Sequence, residues 1–117
     1  MPDPAPSAPE ASYPYSGPPA LRRPIEDALR RVVDPEVALS IVDVGLVYGV
    51  AVDDARVHVR VTMTSAACPV ADWIVDELRA ELARVVGPQR SIEAELVWEP
   101  PWSTERMSAR AKAFMGW

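Results

Sequence analysis

The residue whose type and setting point most directly to chemistry is Cys68, the one cysteine in 117 residues. It closes the stretch Thr62-Met63-Thr64-Ser65-Ala66-Ala67-Cys68-Pro69, which leaves an alternating, strand-like run and enters a long amphipathic one. Proline is tolerated at the first helical position because its missing N–H would be unpaired there, so Pro69 at that position makes Cys68 the expected N-cap. A sulfur so placed faces unpaired backbone N–H groups and the positive end of the helix dipole, which favour thiolate over thiol. A thiolate is the form that attacks electrophiles and ligates metals. The alternative reading of Cys68 is a small, inert, buried apolar side chain, as free cysteines often are.

Three other places carry chemical side chains. Asp34-Pro35-Glu36 sets two carboxylates around a proline, either as metal or partner contacts or as a solvated turn, and spacing alone favours the turn. His58 alternates with Arg56 and Arg60 on what reads as the wet face of a strand. It is expected to be a surface residue rather than a ligand or base, and it leaves a thiol enzyme built on Cys68 without a convincing proton acceptor. Trp98-Glu99-Pro100-Pro101-Trp102 holds two rigid aromatic anchors around a diproline that cannot continue a strand ladder. It is either a partner surface or a lid on a small core. Trp73 lies at the edge of an apolar stripe, where a half-buried core tryptophan is the default and a cover over the cysteine turn or a subunit contact the alternatives.

The elements that must position these residues follow from periodicity. Pro24 to Val33 opens on proline and acids, closes on arginines, and gathers Ile25, Ala28, Leu29, Val32 and Val33 on one face, predicting a helix. Asp34-Pro35 ends it. Ile41 to Val52 is rich in β-branched residues and reads as a strand, most clearly over 46–52, with Gly45 and Gly49 suggesting a bulge. After the Asp53-Asp54-Ala55 turn, Arg56 to Met63 alternates strictly, completing a hairpin with one wet face. Pro69 to Val86 places Val70, Ile74, Leu78, Leu82 and Val85 at helical spacing and stops at Gly87-Pro88. Ser91 to Trp98 alternates again as a third strand. A last helix is expected from a Ser103 or Thr104 cap to about Met115.

Composition bounds the whole. Of thirteen prolines, Pro2, Pro4, Pro6, Pro9, Pro14, Pro18 and Pro19 fall in the first twenty residues, so residues 1–20 read as a disordered tail and 21–117 as the domain. With 49% apolar residues that domain can hold a modest core. A formal charge of −5 argues against nucleic acid and anionic membrane as partners. No apolar run approaches the ~18 residues needed to span a bilayer, and no leader pattern opens the chain, so a cytoplasmic protein is expected. A lone cysteine makes no internal disulfide, in keeping with a reducing compartment.

Asp34-Pro35-Glu36, Ile41 to Tyr48, Thr62 to Pro69 and Val97 to Trp102, in this order and spacing, resemble the SufT and PaaD-type metal–sulfur cluster assembly factors over residues 24–116. The resemblance implies an α+β domain of two layers: a small mixed sheet of about three strands with helices on one face, in the order α-β-β-α-β-α. It implies a factor that matures iron–sulfur proteins, not an enzyme, working with assembly scaffold proteins and client apo-proteins. It also implies that Cys68, Asp34 and Glu36 are the functional positions, with Thr64 and Ser65 as further candidate contacts to metal or partner. Trp98, Pro100, Pro101 and Trp102 are the candidate partner surface. The longer PaaD-like members carry a cysteine-rich C-terminal extension that this sequence lacks, which favours the SufT-like branch over a partner of a ring-oxidising oxygenase.

Ligand count limits what such a factor can hold. A cluster ordinarily takes about four thiolate or imidazole ligands, and the chain offers one cysteine and one histidine. No stable cluster, iron or zinc site is expected in one chain. Three arrangements survive: a homodimer joining two Cys68 thiolates, a site shared with a client or a small thiol, or a transient site. An assembly factor must release its cargo, which favours the last two. The competing reading is an adaptor that uses its tryptophans and needs no thiol.

Overall fold

The computed structural model describes residues 13–35, 37–63 and 71–116. Its first helix, α1 (Pro19–Arg30), starts with proline at the first position and buries Ile25, Ala28 and Leu29 at helical spacing. It begins five residues before the expected Pro24, which lies inside it. The chain ahead of it is also part of the fold. Tyr13 is buried, the Pro14 carbonyl accepts from the Val50 N–H at 3.0 Å, and strand β1 (Tyr15–Ser16) runs parallel to Val50 and Ala51. The expected boundary at residue 20 is therefore too late. Composition could not reveal this, because an edge strand bonds through its backbone and tolerates prolines whose missing donors would face away from the sheet. Residues 1–12 of the expected tail lie outside the described residues.

Helix α1 ends at Arg30 rather than near Val33, and Val33 and Asp34 form β2 (Val33–Asp34), paired antiparallel with β3 (Leu39–Ser40). Ile41–Val44, expected to be strand, is a single helical turn, α2. The Ser40 hydroxyl accepts from the Asp43 N–H at 3.0 Å at one end, and Gly45 takes a left-handed conformation (φ 86°) at the other. A serine cap and a glycine stop bracketing four residues outweigh their β-branched preference.

The main sheet has the order β1, β4 (Val47–Val52), β5 (Arg56–Val61), β6 (Ser91–Leu96). The β4–β5 hairpin is antiparallel, with a register shift between Val47 and Gly49 where a bulge was expected. Its turn is held by the Asp53 carboxylate, which accepts from the Ala55 and Arg56 N–H groups at 2.8 Å. Strand β6 lies parallel to β5, and α3 (Ala71–Val86) makes the crossover between them. Val50, Val52, Val57, Val59 and Val61 meet Ile25, Leu29, Ile74, Leu78 and Leu82 in one core, with α3 packed on both α1 and β6. This is the expected two-layer α+β arrangement, with β1 as a fourth strand and the small β2–β3 pair beside it. The C-terminal segment forms a 3₁₀ turn (Thr104–Arg106) and then α4 (Ala109–Met115), capped by Ser108 rather than Ser103 or Thr104.

Candidate functional site

Of the sequence-predicted site residues, Glu36, Thr64, Ser65 and Cys68 lie outside the described residues. The last three fall within 64–70, the part of the link between β5 and α3 that follows Met63. What precedes that segment is firmly held: Thr62 and Met63 are buried, and the Thr62 N–H donates to the Leu46 carbonyl at 2.8 Å. The Thr62 hydroxyl, although buried, has no hydrogen-bond partner among the described residues. Asp34 is only 2% exposed, so it is not the solvated turn residue that its spacing suggested. Its carbonyl closes the turn by accepting from the Val37 and Ala38 N–H groups at 3.3 and 2.8 Å.

The densest polar cluster is one that sequence reasoning missed. Asp43 is buried, with its Oδ1 accepting from Arg30 Nη1 at 3.2 Å and from Ser108 Oγ at 3.0 Å. Its Oδ2 accepts from Ser40 Oγ at 3.2 Å and from Arg110 Nη2 at 3.4 Å, and its carbonyl accepts from the Ser108 N–H at 2.8 Å. Arg30 in turn donates to Glu26 at 3.0 Å. Burial alone would push the Asp43 carboxyl up, but the Ser108 hydrogen bond together with Arg30 and Arg110 holds it below the usual carboxylate range. Arg30 is held above its ordinary value: burial lowers it, and the bonds and charges of Glu26 and Asp43 more than offset that. Arg30, Asp43, Arg106 and Ser108 line a cleft of about 360 Å³ between α2 and the C-terminal segment. The cluster's signal was present in sequence as Ser40 three residues before Asp43, a capping pattern hidden inside an apolar run.

The C-terminal segment is strapped to the same corner. Trp102 donates its indole N–H to the Val44 carbonyl at 2.8 Å, the Tyr48 hydroxyl donates to the Pro100 carbonyl at 2.7 Å, and the Arg106 guanidinium lies 4.3 Å from the centre of the Tyr48 ring. Gly45 sits so close to Arg106 that any Cβ would collide with its backbone carbonyl. The expected four-residue partner surface therefore divides. Trp102 packs on the core as a lid, whereas Trp98 is 41% exposed and Pro100 and Pro101 lie open beside it. His58 keeps to the polar face and pairs with Glu95 at 3.0 Å. Among the described residues, no three His, Cys, Asp or Glu side chains gather as a metal site.

Residues 22–96 match the family described as iron–sulfur cluster assembly protein. The chain belongs to this family. Within it the chain is 44% identical over 99 residues to YitW of Bacillus subtilis, named an Fe–S protein maturation auxiliary factor, covering 83% of this chain and 95% of that one. It is 43% identical to SufT of Staphylococcus aureus, of the same description, over 73% of this chain and 97% of the relative. Among solved structures it is similar to a domain of unknown function from Bacillus anthracis, with a TM-score of 0.78 and 41% identity over 83% of this chain and 92% of that one. A conserved hypothetical protein from Thermotoga maritima follows at 0.70 and 35%, covering 82% and 94%. The family match spans the hairpin, the cysteine segment and β6, and it ends before the Trp98–Trp102 strap that braces the Asp43 corner.

Proposed function

We propose that the protein is an accessory factor in iron–sulfur cluster assembly or delivery, a non-enzymatic partner of assembly scaffolds and client apo-proteins in the cytoplasm. The observation that carries this reading is the likeness, over most of both chains, to two relatives named Fe–S protein maturation auxiliary factors. Cys68 is the acting residue: the one sulfur ligand of the chain, in the segment that leaves the buried end of β5 and leads into α3. As a thiolate it supplies one ligand to cluster iron, and the client or a small thiol supplies the others. Incomplete ligation suits a factor that must let go. Asp34 serves by bracing the turn that carries Glu36, since its burial keeps it from reaching a client directly.

Anaerobic reconstitution with iron, sulfide and a small thiol tests this reading, with absorbance and size in solution followed for the wild type and Cys68→Ala. The wild type is expected to develop a cluster chromophore that it hands to an apo-acceptor, and Cys68→Ala to develop none. Equal spectra and equal transfer from the two proteins would remove the thiol mechanism. The size measurement separates a homodimer joined through two Cys68 ligands from a one-chain carrier.

A further inference from the structure

The end of the sheet where β5 and β6 finish carries a distinct surface chemistry on its β6 side, across β5 from the Asp43 corner beside β4. The two strands are parallel, so α3 must start at that end to return to the beginning of β6. The end therefore carries the first turn of α3 together with the chain that leaves β6. Three large apolar side chains stand open there: Trp73 is 46% exposed, Leu96 39% and Trp98 41%. Leu96 continues the row of Ile92 and Ala94, which pack on the core, so it belongs to the helix-covered face and is left uncovered only at this end. Large apolar groups clustered in water mark interaction sites, and tryptophan is the commonest anchor in them.

The two stretches that build this corner, 61–78 and 91–105, carry acids and no lysine or arginine, the flanking cations being Arg60, Arg79 and Arg106. Asp72, Asp76 and Glu99 are exposed there, and none has an ion-pair partner among the described residues. Several acids elsewhere are matched: Asp43 by Arg30 and Arg110, Glu81 by Arg31, Glu93 by Arg56. A second copy is a poor occupant, because a two-fold contact would set these same carboxylates against one another. A basic partner gains from all of them.

We propose that this end docks a positively charged segment of a partner protein, whose apolar side chains pack on Trp73, Leu96 and Trp98 while its lysines or arginines face Asp72, Asp76 and Glu99. The inference rests on the assembly-factor reading and supplies its recognition step, next to the segment that carries Cys68. Trp102 takes no part, being tied to Val44.

The test uses a synthetic amphipathic peptide of lysine and leucine and its glutamate–leucine counterpart, titrated into the full chain and followed by tryptophan fluorescence at two salt concentrations. The lysine peptide is expected to bind and the glutamate peptide not to bind. Trp98→Ala is expected to weaken binding about tenfold or more. Asp72→Lys should weaken it at low salt and much less at high salt, while Asp54→Lys, the same charge change in the turn at the opposite end of the hairpin, should leave it within about twofold. Absence of binding, equal binding of the two peptides, or equal losses from Asp72→Lys and Asp54→Lys would overturn the proposal. Cys68→Ala should bind as the wild type does. A thiol that proves idle in reconstitution therefore leaves this surface standing, and a peptide that fails to bind leaves the thiol reading standing.

Discussion

Two corners at the same end of the sheet, one beside the start of β4 and one beside the end of β6, use charged and aromatic residues in opposite ways. At the Asp43 corner, Asp43 is buried, saturated with donors and flanked by arginines, and the aromatic partners Tyr48 and Trp102 are bonded to the backbone they cover. At the corner beside the end of β6, acids stand unmatched and Trp73 and Trp98 are half open. The first arrangement lowers the energy of the chain on its own. The second gains nothing until something else arrives, which is how a binding surface differs from a structural joint.

Substitutions at the first corner should therefore lower stability, and those at the second should leave it alone. Asp43→Ala is expected to have the largest effect, about 3–5 kcal/mol in urea unfolding, because it leaves Arg30 with Glu26 alone and removes the buried acceptor that ties Ser40, Ser108 and Arg110 together. A loss below about 1 kcal/mol would erase the contrast. Gly45→Ala should follow at roughly 3 kcal/mol, combining left-handed strain with collision against the Arg106 carbonyl, and should loosen the C-terminal strap in hydrogen exchange.

Acid should also unlatch this corner. The Asp43 carboxyl is held below its unfolded value, so its stabilisation is fully present above the unfolded value of about 4 and fades as pH falls through the lower folded one. Thermal melts should be insensitive to this group from neutral pH to about 5 and decline below 4. Asp43→Asn should show a shallower acid limb, and an unchanged limb would place the acid sensitivity elsewhere.

Trp102→Phe keeps the ring and removes one hydrogen bond to Val44, for an expected loss of about 1 kcal/mol. Arg56→Ala breaks only exposed pairs, with Glu93 and Asp53, so its effect should stay within about 0.5 kcal/mol. Trp73→Ala belongs at the bottom of the stability order and near the top of any binding order. If it unfolds the protein as readily as Asp43→Ala does, the two corners do not divide the work.

How far the sequence could be read depended on how local each signal was. The strict alternation of Val57, Val59 and Val61 and the helical spacing of Ile74, Leu78 and Leu82 were legible because each element buries one regular face. Helix α2 was not, since Ile41-Val42-Asp43-Val44 has strand-like composition and its helical turn is enforced by the cap before it and the glycine after it. Strand β1 was hidden among prolines because it pairs with an edge roughly 120 Å of extended chain further on, through backbone groups that carry no residue signature. The tryptophans of the diproline segment could be named, but not sorted. Only the fold bonds Trp102 to Val44 and leaves Trp98 open.

By itself the sequence determined the hairpin and the long helix after it, the single thiol, the acidic balance and the resemblance to cluster assembly factors, since all of these follow from residue identity and short-range order. Tertiary structure alone decided that Asp43 locks the C-terminal segment, that Asp34 is enclosed, and that the uncompensated acids share an end with two exposed tryptophans. Burial and charge pairing depend on which distant segments meet, and that meeting is a property of the packed chain rather than of any stretch within it.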